Sequence, residues 1–361
     1  MTLIHFLKEK LINECEGDTN AFAKLVARDK HLVLTKLEGD ASTRSYFRFN
    51  DSSNSIIIMK LNLSSKLAEE GFTTQSNSST QKKLPFIDVY DYLSQFPISI
   101  PQILEYSPGA GILLLEDVGD ELLQYYIHNK DAKEIEHVYK KALDSLLIFQ
   151  NTTGKNKKDC VAFTRSFDVE LFNWEFNHFI EYALRQASEY ASHEKIEMPQ
   201  EDLKKLREIF DHISKTLASD EHVFVHRDYH SRNILVHNEK LYIIDFQDAL
   251  MGPVHYDLAS LLRDAYIHLD ENTSAHLLNY FIEKKGIANR QEFLKHFDFM
   301  VVQRNLKAIG RFYFIDRVKK NPKFLQYIPN LVENITVILK RYKELHFIDT
   351  LFTRYYEDYL K

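Results

Sequence analysis

Cysteine is nearly absent: Cys15 and Cys160 are the only two among 361 residues. Two thiols so far apart in sequence make neither a disulfide framework nor a zinc site, and their scarcity suits a reducing compartment. Long apolar runs are missing as well. Nothing approaches the roughly 18 consecutive apolar residues of a membrane span, and the start, Met1 to Lys10, turns charged too soon for a secretory signal. Nor is there the charge surplus that nucleic acid or an anionic membrane attracts, since 46 basic residues stand against 52 acidic ones for a formal net charge of −6. By elimination the chain reads as cytoplasmic, with neither nucleic acid nor membrane as partner. What is present, 44% hydrophobic and 27% charged residues, is the composition of an ordinary globular chain. Its length exceeds the usual single core, so two lobes are expected.

The residue pattern divides accordingly. Residues 1 to about 30 read as one amphipathic helix with Leu3, Phe6, Leu7 and Ile12 on one side. Strand-like runs follow at 31–37, 46–49 and 56–60, separated by Gly, Asp, Asn and Ser clusters, which predicts an antiparallel sheet. Residues 64–83 are polar without a sustained apolar period and read as a loop. Pro85 opens a helix in which Phe86, Val89, Tyr90 and Leu93 recur at helical spacing, and two more strands are expected around 103–106 and 112–115. Beyond about residue 120 the pattern is mainly helical, interrupted by a strand-and-loop block at 223–245. The expected fold class is α+β, with a sheet-rich lobe at 1–117 and a larger, mainly helical lobe at 118–361.

The most informative segment is His226-Arg227-Asp228-Tyr229-His230-Ser231-Arg232-Asn233, with Asp245 twelve residues further on in an Ile-Ile-Asp-Phe stretch. It matches the H-R-D-x-x-x-x-N loop and metal-binding Asp of kinase-fold phosphotransferases. Phosphoryl transfer to a hydroxyl needs a carboxylate that orients the acceptor proton and oxygen ligands that hold Mg²⁺ across the phosphates. Asp228 suits the first task, and Asn233 and Asp245 the second. A hairpin with strands at 234–236 and 241–244 would return Asn233 towards Asp245. Arg232 is placed to reach the γ-phosphate or the acceptor oxygen, or else to pair with a neighbouring carboxylate. His226, grouped with the catalytic residues, is expected to fix the loop by hydrogen bonding. His230 either contacts substrate or caps the turn, and Asp257 either caps the helix it precedes or braces the loop.

For ATP, Glu38 to Ser45 offers a turn between two strands where backbone N–H groups, the hydroxyls of Ser42 and Thr43 and the Arg44 guanidinium can lie over phosphates. It has one Gly, not the G-x-G-x-x-G of a protein kinase. Lys60 closes an Ile-Ile-Met-Lys strand where a phosphate-pairing Lys belongs, and its acidic helix partner is Asp88 or Asp91, with Asp88 preferred as nearer the helix start. Main-chain groups of Glu116 and Val118 are candidates for pairing with adenine. Arg304, Lys307 and Arg311 fall at i, i+3 and i+7, so one helical face carries three cations, either solvated or turned to an anionic acceptor, while Leu306, Ile309 and Phe312 or Tyr313 pack.

On these residues the chain resembles the aminoglycoside phosphotransferase and choline kinase-like superfamily over nearly its whole length. Within it, the stretches at 39–48, 226–233 and 245–259 and the helix from Gln303 to Gly310 are most similar to bacterial anomeric kinases of N-acetylmuramate and N-acetylglucosamine. The resemblance implies a two-lobed protein-kinase-like fold and Mg-ATP-dependent phosphorylation of an anomeric hydroxyl in cell-wall recycling. It places the base on Asp228 and the metal on Asn233 and Asp245, and implies that at least Arg304 or Lys307 faces the cleft and contacts the acceptor. Gln247 stands where protein kinases have the glycine of Asp-Phe-Gly, and no Ala-Pro-Glu segment follows, which argues against a protein kinase. Rival readings are a choline or ethanolamine kinase, with Trp174, Phe172 and Phe176 as a cation cage, an aminoglycoside kinase, for which an acidic pocket is expected, and a non-catalytic kinase-fold binding protein, which would lack a base, metal ligand or phosphate Lys. None of these is missing.

Overall fold

A computed structural model describes residues 2–37, 44–61, 83–151, 160–185 and 198–355. The chain forms two compact units, Met1–Lys82 with Ser99–Asp120, and Lys83–Ile98 with Glu121–Lys361. The first is thus close to the expected sheet lobe, but the helix opened by Pro85 belongs to the second. Its reason is local: Phe86 stacks on Phe246 at 5.0 Å, and the Asp88 carboxylate accepts the Val161 N–H at 2.5 Å.

In the first unit the N-terminal stretch is two helical pieces, not one. Helix α1 (Leu3–Leu7) continues as a π-helical turn through Glu14, and α2 (Thr19–Val26) starts afresh. Between them Gly17 takes a φ of +77°, and a Cβ there would lie 2.5 Å from the Ala110 carbonyl oxygen, so the close turn requires glycine. Asp18 then caps α2 by accepting from Asn20 N at 2.8 Å and Ala21 N at 3.2 Å. Strands β1 (Val33–Lys36), β2 (Ser45–Asn50), β3 (Ser55–Lys60), β4 (Ile103–Ser107) and β5 (Ile112–Glu116) form one antiparallel sheet in the order β1-β2-β3-β5-β4. Alternate positions Ile56 and Ile58 of β3 and Ile112 and Leu114 of β5 face Leu7, Leu11, Phe22 and Val26 of the helices, and these residues make the unit's core.

The second unit contains α3 (Pro85–Leu93), α4 (Leu123–Tyr126), α5 (Ala132–Asn151), α6 (Val169–His178), α7 (Gln200–Ala218), β6 (His222–Val225), β7 (Ile234–His237), β8 (Lys240–Ile243), β9 (Leu250–Pro253), α8 (Tyr256–Leu262), α9 (Glu271–Lys285), α10 (Arg290–Lys319), α11 (Ile328–Arg341) and α12 (His346–Tyr355). Helix α10 is its axis. Phe297, Val301, Leu306, Ile309, Phe312 and Ile315 are buried on several sides of it, as in a helix enclosed by others. The predicted hairpin is present as β7 and β8, and Asn238 and Glu239, both at positive φ, make the two-residue turn whose twist matches paired strands. Strand β6 pairs with β9, which the sequence reading did not anticipate; in a two-stranded ribbon the missing N–H of Pro253 is tolerated. No helix among the described residues is long and apolar enough to cross a membrane.

Candidate active site

The loop from His226 to Asn233 leaves β6 and is fixed at nearly every residue. Asp257, fully buried, accepts from His226 N at 2.6 Å and Arg227 N at 3.0 Å, so of its two expected roles it takes the brace and His255 holds the N-cap position. Burial pushes its carboxyl up to about 7 against those two donors. Tyr229 donates to Ala142 O of α5 at 2.7 Å, and Ser231 N donates to buried Asp264 at 2.9 Å. Arg227 holds a φ of 81°, a left-handed conformation that is unfavourable for a side chain bearing a Cβ and is retained here by the hydrogen bond to Asp257.

His226, grouped with the catalytic residues and expected to fix the loop, is held inside it. It is fully buried, its Nε2 meets Ile244 O at 3.0 Å, and burial lowers its pKa to about 4, which keeps the ring neutral. Ile244 N in turn donates to Asn233 O at 3.0 Å. Both main-chain groups of Ile244 are therefore tied to the loop, and this seats Asp245 beside Asn233. Asp245 is exposed, also at positive φ (66°), and its Oδ1 accepts from Gln247 Nε2 at 2.9 Å. Gln247, at the position of a protein kinase's glycine, thus steadies the candidate metal ligand. Asn233 donates through Nδ2 to Asp228 O at 2.9 Å, which leaves its amide oxygen as the ligating atom.

Around the Asp228 carboxyl the charges come from α10. Arg304 Nη1 donates to Arg227 O at 2.8 Å with its guanidinium 4.4 Å from the Tyr256 ring centre, and Lys307 Nζ lies 3.1 Å from both Tyr256 Oη and Glu175 Oε1. Both are half-buried, so this part of the face is not a solvated one, whereas Arg311 is exposed. Leu306, Ile309, Phe312 and Tyr313 are buried, as expected. Burial works to raise the Asp228 carboxyl, but Lys307 and Arg304 foremost, then His230 and Arg227, hold it well below the usual carboxylate range. Glu175 of α6 completes the group. It is fully buried, accepts from Gln303 Nε2 at 2.9 Å and lies 3.6 Å from Arg227 Nη2, and against its burial Lys307 and Arg227 keep it ionised. Sequence reasoning missed it. The available signal was an acid three residues after Phe172 and beside Phe176, on the apolar side of its helix.

Arg232 is engaged elsewhere. Its Nε donates to Gln124 at 2.9 Å, its Nη2 to Tyr327 Oη at 2.7 Å, and its guanidinium lies 4.0 Å from the Tyr266 ring centre. These contacts join the loop to α4 and to the segment before α11. His230 packs edge-on against the same Tyr266 ring at 5.3 Å.

Among the nucleotide-binding expectations, Ser42 and Thr43 lie outside the described residues, as does the polar stretch 64–82, while Arg44 directly precedes β2. Lys60 ends β3, paired in register with Ser45 and Ile112, and is half-buried in the first unit. Asp88 is in the second unit with its carboxylate on Val161 N, and Asp91 pairs with Lys83. Glu116 N donates to Gln102 O at 2.9 Å, and Val118 is buried. The segment they share is fastened by Arg48, which donates to Asp117 Oδ2 at 2.6 Å, Asp117 Oδ1 at 2.9 Å and Asp120 Oδ1 at 2.6 Å. Phe172 stacks on Phe167 at 4.8 Å and Phe176 on Phe210 at 4.0 Å, both fully buried, so no cage forms from them with Trp174.

Residues 33–293 match the model of the phosphotransferase enzyme family. An N-acetylmuramate/N-acetylglucosamine kinase of Pseudomonas aeruginosa is 29% identical over 318 residues, which cover 86% of this chain and 85% of the relative. A kinase of the same name from Neisseria meningitidis is 26% identical, covering 88% of this chain and 89% of its own. In structure the chain is similar to an ADP-bound aminoglycoside phosphotransferase, with a TM-score of 0.55 at 15% identity over 88% of this chain and 97% of the other.

Proposed function

The chain belongs to the phosphotransferase enzyme family, and we propose that it transfers the γ-phosphoryl group of Mg-ATP to the anomeric hydroxyl of an amino sugar, N-acetylmuramate or N-acetylglucosamine, in cell-wall recycling. The observation that carries this reading is an ionised Asp228 set among the Arg304 and Lys307 cations. Asp228 orients the sugar hydroxyl and receives its proton as the oxygen bonds to phosphorus and the bond to the ADP oxygen breaks. A carboxylate held this acidic takes the proton late, which suits the loose transition state of phosphoryl transfer. Arg304 and Lys307 give an acidic sugar its counter-charge. The same cations disfavour a polycationic aminoglycoside, and burial of Phe172 and Phe176 removes the choline cage.

Asn233 and Asp245 fit a magnesium ion. Among the described residues no cluster of three acids, histidines or cysteines is present to cage a metal, and Mg²⁺ is ordinarily held by one or two protein oxygens together with phosphates and water. Bound there, the ion would neutralise charge on the phosphates. Lys60, Arg44, Ser42 and Thr43 are assigned to the phosphates and the main chain at Glu116 and Val118 to adenine, while Asp88 remains the preferred acidic partner of Lys60 from the sequence. Arg232, His226 and Asp257 are positioning residues that hold Asp228, Asn233 and Asp245 in register. The test is incubation with Mg-ATP and each of N-acetylmuramate, N-acetylglucosamine, choline and kanamycin. Phosphorylation of either sugar with loss of its reducing end is expected; transfer to choline or kanamycin alone would overturn the proposal.

A further inference from the structure

The cationic face of α10 does not stop at Lys307. Arg304, Lys307, Arg311 and Phe314 follow one another at i, i+3, i+7 and i+10, and the row ends among aromatic rings. His178 lies 4.6 Å from Trp174, 5.2 Å from Tyr182 and 5.9 Å from Phe314 between ring centres, Tyr182 lies 5.0 Å from Phe314, and the Arg311 guanidinium sits 4.9 Å from the Phe314 ring. Two features bring these rings together. At Gly310 a Cβ would lie 2.6 Å from Phe179 N, so α10 and the end of α6 cross backbone to backbone. At the same place α6 passes into the π-helical segment Phe179–Arg185, a local rewinding that recurs at functional sites.

These rings are not a closed core. Trp174 is 43% exposed, and His178, Tyr182 and Phe314 are half-buried, whereas Phe172, Phe176 and Phe179 of the same segment are sealed. Nor are they separate from the Asp228 site, because the helical face that ends at Phe314 begins at Arg304, which donates to Arg227 O beside Asp228. Seven residues of helix separate Lys307 from Phe314, about 10 Å at 1.5 Å per residue. That exceeds the width of one sugar ring, so an acceptor whose reacting hydroxyl meets Asp228 reaches the platform only through a substituent. Aromatic faces carry negative charge density and attract the axial C–H bonds of a pyranose, and the adjoining guanidinium can donate to its hydroxyls.

We infer that the Trp174, His178, Tyr182 and Phe314 platform is a second carbohydrate subsite, holding the pyranose ring of a substituent on the acceptor sugar. The inference rests on the sugar-kinase reading and extends it from monosaccharides to glycosylated amino sugars. Trp174 is the chain's single tryptophan, so its emission reports on this platform alone. The experiment is a titration of the whole protein, without nucleotide, with N-acetylglucosamine and with its β-1,4-linked disaccharide, following tryptophan emission and measuring both affinities by calorimetry. The disaccharide should bind about 10-fold tighter, as 1.4 kcal/mol gives, and should change the emission saturably. Phe314→Ala should bring the ratio of the two affinities towards one, whereas damage to folding alone would weaken both and preserve the ratio. If N-acetylglucosamine is phosphorylated but the wild-type affinity ratio is one and the emission is unmoved by the disaccharide, the subsite is overturned and the kinase reading stands. If neither sugar binds or is phosphorylated, both fall together.

Discussion

Arg232 and Arg304 both serve the loop that carries Asp228, in different company. Arg304 shares its surroundings with Lys307, Arg227 and the carboxylates Asp228 and Glu175. Around Arg232 stand the Gln124 amide, the Tyr327 hydroxyl and the Tyr266, Tyr327 and Phe324 rings, the rings at 4.0, 5.0 and 5.8 Å. Arginine's planar fork suits the second setting, because it stacks on rings and makes directional hydrogen bonds at the same time. In the first setting the cations favour the ionised form of Asp228 and, under the proposed function, present positive charge to the acceptor. Position beside the motif is therefore a poorer guide to which cation meets substrate than what each guanidinium touches.

The harshest way to break the charged setting is Glu175→Gln. It keeps the shape and the Gln303 contact but leaves Arg227 and Lys307 without their buried counter-charge, and removing one partner of a buried pair costs about 3–5 kcal/mol. Urea denaturation reads this directly; a midpoint equal to that of the wild type would mean that the cations do not depend on Glu175. Arg304→Ala and Lys307→Ala probe recognition. One desolvated charge-assisted hydrogen bond is worth about 1.5–3 kcal/mol, on the order of 10- to 150-fold in specificity. At least one variant should lose N-acetylmuramate selectively over N-acetylglucosamine, and equal ratios in both would return the face to a structural role. Arg232→Lys sharpens the contrast from the aromatic side. Loss of the stacked fork should lower kcat by on the order of 10-fold through misplacement of the loop, with the ratio between the two sugars unchanged. A shifted ratio would put Arg232 on the acceptor after all.

The mildest effect lies away from the loop, where His296 Nδ1 contacts Asp220 at 2.6 Å. That hydrogen bond raises the His296 pKa above its usual value. Its stabilisation is thus complete below the unfolded value of about 6.5 and fades as pH rises through the higher folded value. His296→Gln should cost up to about 1 kcal/mol at pH 6 and less at pH 9; equal losses at both would disconnect the pair from titration.

Legibility in the sequence followed contact range. The Asp228, Asn233 and Asp245 constellation and the 234–243 hairpin were readable because strand, turn and motif lie within twenty residues of one another. Glu175 and the Arg232 setting were not, since their partners, Lys307 and Gln303 for the one and Gln124, Tyr266 and Tyr327 for the other, are remote in sequence and brought together only by packing. Asp257 was read with both its alternatives open, and packing alone decided for the brace. The first helix was read as continuous because its apolar spacing runs through Cys15 to Asp18, where Gly17 breaks the backbone without breaking the pattern.

The central claim is that the Asp228 carboxylate, held ionised by Lys307 and Arg304, performs the transfer. Asp228→Asn retains size and the main-chain contacts of the loop while removing the proton acceptor. Phosphoryl transfer to N-acetylmuramate and ATP affinity should be measured on the same purified variant. Turnover is predicted to fall by about 10²–10⁴-fold, the usual worth of a general base, with ATP affinity within a few-fold of wild type because the carboxylate acts mainly in the transition state. Turnover at the wild-type rate would contradict the account.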